Sequence, residues 1–354
     1  MDTITHALSG ALLARAMAPV AARRGEVPIG RRTVIGALAA AFPDLDFVVS
    51  YLSPLAYLYH HRGVTHSLLL LPLWAIAIGW LCAVVCRDRA RWRTYATIVG
   101  ASIAIHILGD LITNFGTMIF APFSDARFAW STTFIIDLWF TGIIVAGLAA
   151  AVLWRQSRLP AVLGLAVLVG YVGFQYAQQQ RAIAFGVEYA ATHGMRDAKV
   201  AATPRPVSPY NWMVIVSEPD RYHYALVNLS RSEVPRQGAD ARGLIARLDA
   251  PYLPAAHAVW VRLDRFGSTP EQAAVAREAW SQEAFAFFRW FAAYPALMRL
   301  EGSGNPQTCA WFHDLRFFTP GRDEWPFRYG LCREGQGAWS AYRLSSDNKR
   351  MPVY

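Results

Sequence analysis

Residues 104–114 read AIHILGDLITN. His106 and Asp110 stand four apart in a strongly apolar segment, and on a helix that spacing stacks both side chains on one face. A carboxylate inside a membrane-length apolar run is costly, and it persists when it has a partner and a role. A divalent metal ion is one such partner, because neutral imidazole and carboxylate are both good ligands for zinc-like ions. A His–Asp hydrogen bond that ties two helices together is the other reading, and the simpler one for these two residues alone.

Working outward, the two residues have company. Five of the nine histidines lie in the first 110 residues: His6, His60, His61, His66 and His106. Residues 42–47 (FPDLDF) add Asp44 and Asp46, and residues 60–70 (HHRGVTHSLLL) hold the densest histidine cluster. Packing gives no reason for such a set in an apolar region.

These stretches carry a resemblance. MDTITHALSGALLAR, FPDLDF, HRGVTHSLL and HILGDLITNFGTMIFAPFS come in the order seen in the YdjM-like (DUF457) membrane-bound proteins, described as predicted metal-dependent hydrolases. The likeness covers residues 1–153. HILGDL also resembles the HxLGD segment of zinc-dependent phospholipase C and the S1/P1 nucleases, whose His and Asp bind zinc. The resemblance implies that His106 and Asp110 are metal ligands. It also implies a hydrolase. The chain departs from those enzymes after Asp110: LITNFGTM lacks their next histidine, and no second HxxxE/D pair is visible, so the number of metals stays open.

The chain has 354 residues, 54% hydrophobic and 17% charged, with a net charge of +9. Residues 1–180 hold 13 arginines, 8 acids and no lysine, whereas residues 181–354 hold 21 lysines and arginines and 17 acids. The contrast reads as a membrane-embedded helical domain (1–180) followed by a water-soluble α+β domain (181–354), so the fold class is mainly α. No basic tract with interleaved aromatics marks a nucleic-acid footprint, and the bilayer is the expected partner. The start lacks the basic region of a cleavable signal peptide, which fits a retained, functional first helix.

Apolar runs place a short helix at 3–17 with His6 near its start, and a second run at 33–42 ended by Pro43. Spans follow at 67–85, 95–112, 133–153 and 159–177. Ser67 reads as a helix-start residue. Eleven of the thirteen arginines of residues 1–180 fall at 15–32, 87–93 and 155–158, while the opposite loops carry Arg62 and Arg127 only. The positive-inside rule makes the first set cytoplasmic in a bacterial inner membrane. His6, Asp44, Asp46, His61, His66, His106, Asp110 and Asp137 then gather toward the other face, and the C-terminal domain lies outside the cytoplasm. There Cys309 and Cys332 could pair, whereas Cys82 and Cys86 read as packing residues.

The expected site follows. His6, Asp44, His61, His66, His106 and Asp110 are the candidate ligands of a divalent metal, zinc by ligand type. Asp46 orients a histidine or acts as general base. Arg62 clamps a phosphate or pairs with Asp44 or Asp46. Asp2 supports His6, and Asp137 pairs with Arg127 or Arg62. His60 reads as an ordinary loop histidine. The expected function is hydrolysis of a lipid or lipid-linked phosphoester or ester. The rival is a non-enzymatic transporter or scaffold, and transport is weakened because residues 98–105 offer only Ser102 as a polar continuation. In the soluble part, residues 212–216 and 222–229 read as a hairpin, 258–263, 309–318, 327–332 and 339–344 as strands, and 270–293 as a helix whose aromatic face (Phe287, Phe288, Phe291) is core or membrane contact.

Overall fold

Asp2 starts the first helix. Its carboxylate accepts the Thr5 amide at 3.0 Å and caps α1 (Thr3–Ala16). The computed structural model describes residues 1–19, 26–235, 243–302, 307–320, 322 and 325–353; Arg23 and Arg24, used above for orientation, lie outside the described residues. The chain divides into two units, Met1–Val49 with Tyr59–Ala177, and Ser50–Leu58 with Gln178–Tyr354.

In the helical unit, α1 is buried along most of its length and packs against α2 (Ile29–Ala41), α5 (Trp92–Leu111) and α6 (Leu138–Leu153). Missing side chains allow the α1–α2 contact. A Cβ on Gly10 would fall 2.3 Å from the Gly36 carbonyl oxygen, and one on Gly36 would fall 2.5 Å from Ala14 Cβ. Close backbone packing of this kind holds helices together where lipid removes the hydrophobic drive. At the other end, Arg15 donates to the carbonyls of Ala151 and Arg155 at 2.8 and 2.9 Å, satisfying the carbonyls that a helix end leaves unpaired.

Pro43 ends α2, and a 3-10 turn (Pro43–Tyr51) follows at a 41° bend. The chain continues through α3 (Pro54–His60), a second 3-10 turn (Val64–His66) and α4 (Leu71–Val85). α4 begins four residues later than the apolar run predicts. Ser67 instead donates to the Ala121 carbonyl at 2.5 Å and accepts the Leu69 and Leu70 amides. α6 also starts late, at Leu138, because the Asp137 carboxylate accepts the Trp139 and Phe140 amides. α7 (Leu159–Thr192) runs 34 residues, past the expected end at 177. Its later turns place Ala182, Ile183 and Phe185 against a sheet, so packing continues the helix beyond the apolar stretch.

The segment Arg89–Leu111 and α7 are each long and apolar enough to cross a membrane. Among the described residues, the bent pairs Ile29–Ala41 with Pro43–Tyr51 and Pro54–His66 with Leu71–Val85 bring the number to four if each is one span. Leu73, Trp80, Leu81, Val145, Leu163 and Val169 face outward, an apolar exterior suited to lipid.

Among the described residues, the second unit holds two sheets. β1 (Lys199–Pro204), β2 (Asn211–Glu218), β3 (Arg221–Asn228), β4 (Leu253–Pro254) and β5 (Trp260–Asp264) form the first, with β5 paired to β3. The β2–β3 hairpin closes at Glu218↔Arg221 as the sequence suggests. β6 (Pro295–Glu301), β7 (Gln307–Asp314), β8 (Tyr329–Glu334), β9 (Ser340–Leu344) and β10 (Arg350–Pro352) form an antiparallel meander. Cys309 and Cys332 face each other across β7 and β8 and form a disulfide. Helix α8 (Leu244–Asp249) precedes β4. The helix expected at 270–293 is interrupted: α9 (Pro270–Ser281) stops, a 3-10 turn (Glu283–Phe285) intervenes, and α10 (Ala286–Phe291) follows. Arg289 accounts for the stop, donating to the Trp280 and Gln282 carbonyls at 2.5 and 2.7 Å. Phe287, Phe288 and Phe291 are buried, as core.

Two outcomes test this packing. Gly36→Leu is expected to destabilise the detergent-solubilised protein by about 3 kcal/mol, the upper range for overpacking. Gly30→Ala, whose Cβ meets nothing within 4 Å, leaves its thermal midpoint near wild type. In the second unit, burial pulls the His313 imidazole down to about 4, against the opposing charge of Asp314. The unfolded chain, with His near 6.5, then binds a proton that the folded state refuses, so stability is full above that value and falls as pH drops toward 4. His313→Phe should remove on the order of 3 kcal/mol of this acid sensitivity, read from urea midpoints between pH 7 and 4.

Candidate metal centre

Four segments of the helical unit converge. α1 brings His6, the turn after α2 brings Asp44 and Asp46, the turn before α4 brings His66, and α5 brings His106 and Asp110. The i, i+4 spacing works as the sequence predicts, with His106 Nε2 and Asp110 Oδ2 3.5 Å apart. His6 lies flat on His106, ring centroids 3.7 Å apart. Gly109 makes room for it, since a Cβ there would come within 3.1 Å of the His6 ring.

Proton positions follow from the partners. His106 Nδ1 lies 2.6 Å from the Ala40 carbonyl. A carbonyl only accepts, so Nδ1 carries the proton and Nε2 carries a lone pair. His66 Nδ1 faces Thr65 Oγ1 at 3.0 Å and Asp46 Oδ2 at 3.4 Å. Thr65 itself donates to Asp46, so it too accepts from His66, whose Nε2 is again the lone-pair nitrogen. The two Nε2 atoms then meet at 2.9 Å. Two lone pairs at that distance repel unless a cation lies between them.

The carboxylates complete the knot. Asp44 Oδ2 accepts the Thr3 hydroxyl at 2.7 Å, and Oδ1 lies 3.9 and 3.7 Å from the Nε2 atoms of His66 and His106. Asp110 is fully buried. Its Oδ1 meets Arg62 Nη2 at 2.7 Å, His6 Nε2 at 3.0 Å and the Met1 amino nitrogen. Its Oδ2 accepts no hydrogen bond and lies 3.1 Å from His66 Nε2. Ligand atoms about 2.0–2.2 Å from one tetrahedral zinc stand about 3.3 Å from each other. The His–His and His–Asp separations around His66, His106, Asp44 and Asp110 run from 2.9 to 3.9 Å, which brackets that value. One ligand atom each from His6, Asp44, His106 and Asp110 also lies within 4.8 Å of the others. The orphaned oxygen, the opposed lone pairs and the paired carboxylates fit a divalent cation.

The remaining expected residues stand around this group. His61 donates Nδ1–H to Asp46 Oδ1 at 2.7 Å, one step out from the knot. Asp46 also accepts the Arg62 amide at 2.9 Å and lies 3.4 Å from His66 Nδ1, so its two oxygens face both His61 and His66. Arg62 departs from expectation. Its guanidinium is buried on Asp110 and the Thr113 hydroxyl, not on Asp44 or Asp46, and is committed to neutralising a carboxylate. Asp2 acts on His6 indirectly, as the cap of α1. Asp137 belongs to a separate network, accepting from Tyr171 and Gln175 at 2.9 and 2.8 Å while capping α6. His60 is exposed. Thr3, Thr113 and the Ala40 carbonyl escaped the sequence reading. Thr113 had a weak signal, a hydroxyl three residues after Asp110 and just past the end of α5, where it donates to the Asp110 carbonyl; the carbonyl, as backbone, had none.

Asp46→Asn tests the orienting role. It is expected to weaken metal binding about 10–100-fold, as loss of such outer partners does, with far-UV circular dichroism unchanged. The measurement is competition with a chromophoric chelator, and wild-type affinity would refute the assignment.

Comparison with known proteins meets the geometry at this point. Residues 1–182, which contain the whole His/Asp group, match the model of the family described as YdjM inner membrane protein. The chain is 25% identical over 177 residues to the uncharacterized protein YfhP of Bacillus subtilis (strain 168), covering 49% of this chain and 52% of that one. It therefore spans about half the length of the curated relative it matches. No solved structure matches. A model that covers half of the chain, including every segment that builds the metal-competent group, places this protein in the YdjM inner membrane protein family.

Proposed function

We propose that the chain is a membrane-bound, metal-dependent hydrolase acting on a lipid or lipid-linked phosphoester or ester near the outer face of the inner membrane. One observation carries this reading: the Nε2 lone pairs of His66 and His106 converge with Asp44 Oδ1 and the orphaned Oδ2 of buried Asp110. A zinc ion held there supplies Lewis acidity and lowers the pKa of water toward neutrality.

The chain's own groups divide the remaining work. Asp46 fixes the tautomers of His61 and His66. Arg62 holds Asp110 in place and balances one of the two carboxylate charges. His61 and Asp44, with side chains 13% and 11% exposed, are more open than His66, His106 and Asp110, at 0%. Substrate therefore approaches on the side of Asp44 and His61. His61, held by Asp46, is the group placed there to take up a proton. The arginine distribution supports an outward-facing site. The Cys309–Cys332 disulfide supports an extracytoplasmic second unit, since such bonds persist in oxidising compartments.

Near-complete burial of His6, His66, His106 and Asp110 favours a second reading, a structural metal without turnover. Metal analysis of the detergent-purified protein beside His106→Ala and Asp110→Asn, joined to assays on phospholipid and lipid-linked esters, separates the two. The hydrolase reading expects stoichiometric metal and turnover in the wild type and loss of both in the variants. Metal without turnover of any lipid ester supports the structural reading, and no metal after remetallation sinks both.

A further inference from the structure

The more open side of the metal centre has an apolar rim. Asp44 and Asp46 stand in a nine-residue 3-10 helix, Pro43–Tyr51. Three residues per turn align every third side chain along such a helix. Asp44 is buried toward the metal centre, while Leu45 and Val48, one turn apart, are 55% and 52% exposed. On the facing segment, which Asp46 holds through the Arg62 amide and the Thr65 hydroxyl, Val64 is 45% exposed. Leu45, Val48 and Val64 all belong to the helical unit. Residues 47–59 (FVVSYLSPLAYLY) carry no charged side chain. An exposed apolar patch of this kind is unfavourable in water, and it marks a surface with a partner.

Trp74 ties both lips of this rim to α4. Its indole N–H donates to the Val64 carbonyl at 3.0 Å. Its ring meets that of Phe42, two residues before Asp44, with centroids 5.1 Å apart. Leu68 and Leu69 lead into α4 exposed, and Leu73, Ile76, Trp80 and Leu81 continue outward-facing along it. The rim is therefore continuous with the apolar exterior of the bundle that suits lipid. Backbone groups in a 3-10 helix bond along the helix, so this turn can lie against lipid where an irregular loop cannot. Acyl chains gain by covering such a rim, whereas a polar solute arriving from water gains nothing from it.

We infer that the metal centre opens sideways into the membrane leaflet on its own side, and that Leu45, Val48 and Val64 contact the acyl chains of a lipid whose polar end reaches Asp44 and His61. The opening follows from exposure and from continuity with the lipid-facing surface. That the lipid is also the substrate rests on the hydrolase reading above.

Site-directed spin labelling of the full chain in phospholipid nanodiscs tests the opening without requiring turnover. Cys82 and Cys86 are replaced by alanine, and the Cys309–Cys332 disulfide is kept oxidised. Nitroxides are placed singly at Leu45→Cys, Val48→Cys and Val64→Cys, so that one variant that fails to fold leaves two to decide. Each is expected to collide several-fold more often with dissolved oxygen, which concentrates among acyl chains, than with a water-soluble nickel chelate. Leu73→Cys, outward-facing on α4, is the lipid reference, and Glu283→Cys, with an exposed side chain, is the aqueous one. Collisions dominated by nickel at two of the rim positions overturn the proposal, because the mouth then faces water. Poor access to both reagents overturns it as well, because protein then covers the rim. Absence of turnover in the lipid-ester assays removes the substrate reading and leaves the opening to be decided by the labels.

Discussion

The buried charge of Asp110 sets the terms for the helical unit. A carboxylate with no exposure inside a bundle of apolar helices is tolerated only when its field is answered locally. Its two oxygens are answered differently. Oδ1 collects Arg62, His6 and the Met1 amino nitrogen, whereas Oδ2 is left facing the lone pairs of His66 and His106. One half of the carboxylate is thus spent on holding helices together, and the other half is available to a cation. That division turns a structural ion pair into one edge of a metal-competent group.

Satisfying Asp110 shapes the backbone around it. Arg62 reaches it from a left-handed turn, φ 61°, while its own amide is held by Asp46. Asp46 in turn holds His61 and faces His66, so the turn that delivers the guanidinium also orients two imidazoles. α1 must approach α5 closely enough for His6 to lie on His106, which Gly109 permits, and the Gly10–Gly36 contact lets α2 follow with Ala40, whose carbonyl fixes the His106 tautomer. Small residues and charge pairing are therefore parts of one arrangement. A bulkier side chain at the crossing would move a hydrogen-bond acceptor away from the site.

The second unit is built on different physics. Its sheets bury Trp212, Trp311 and a series of phenylalanines by the hydrophobic effect, and its arginines are mostly placed against acids.

The His106–Asp110 spacing, the clustering of histidines with Asp44 and Asp46, the apolar helices and the β2–β3 hairpin were all legible in the sequence, because each rests on local periodicity or residue type. The family followed from four short motifs in order. Other features turned on contacts that no local pattern encodes. Arg62 could serve a substrate or a carboxylate, and only the fold brought Asp110 within 2.7 Å of it. Asp137 looked like a further member of the site, yet it caps α6 and binds Tyr171 and Gln175, residues far along the chain. The helix expected at 270–293 broke because Arg289 folded back onto the Trp280 and Gln282 carbonyls. Sequence by itself determined which groups were available and on which helix faces they lay, since chemistry and periodicity are local. The tertiary structure decided which groups meet and which nitrogen of each imidazole is the ligand, because both depend on partners distant in the chain and often on backbone carbonyls that every residue has.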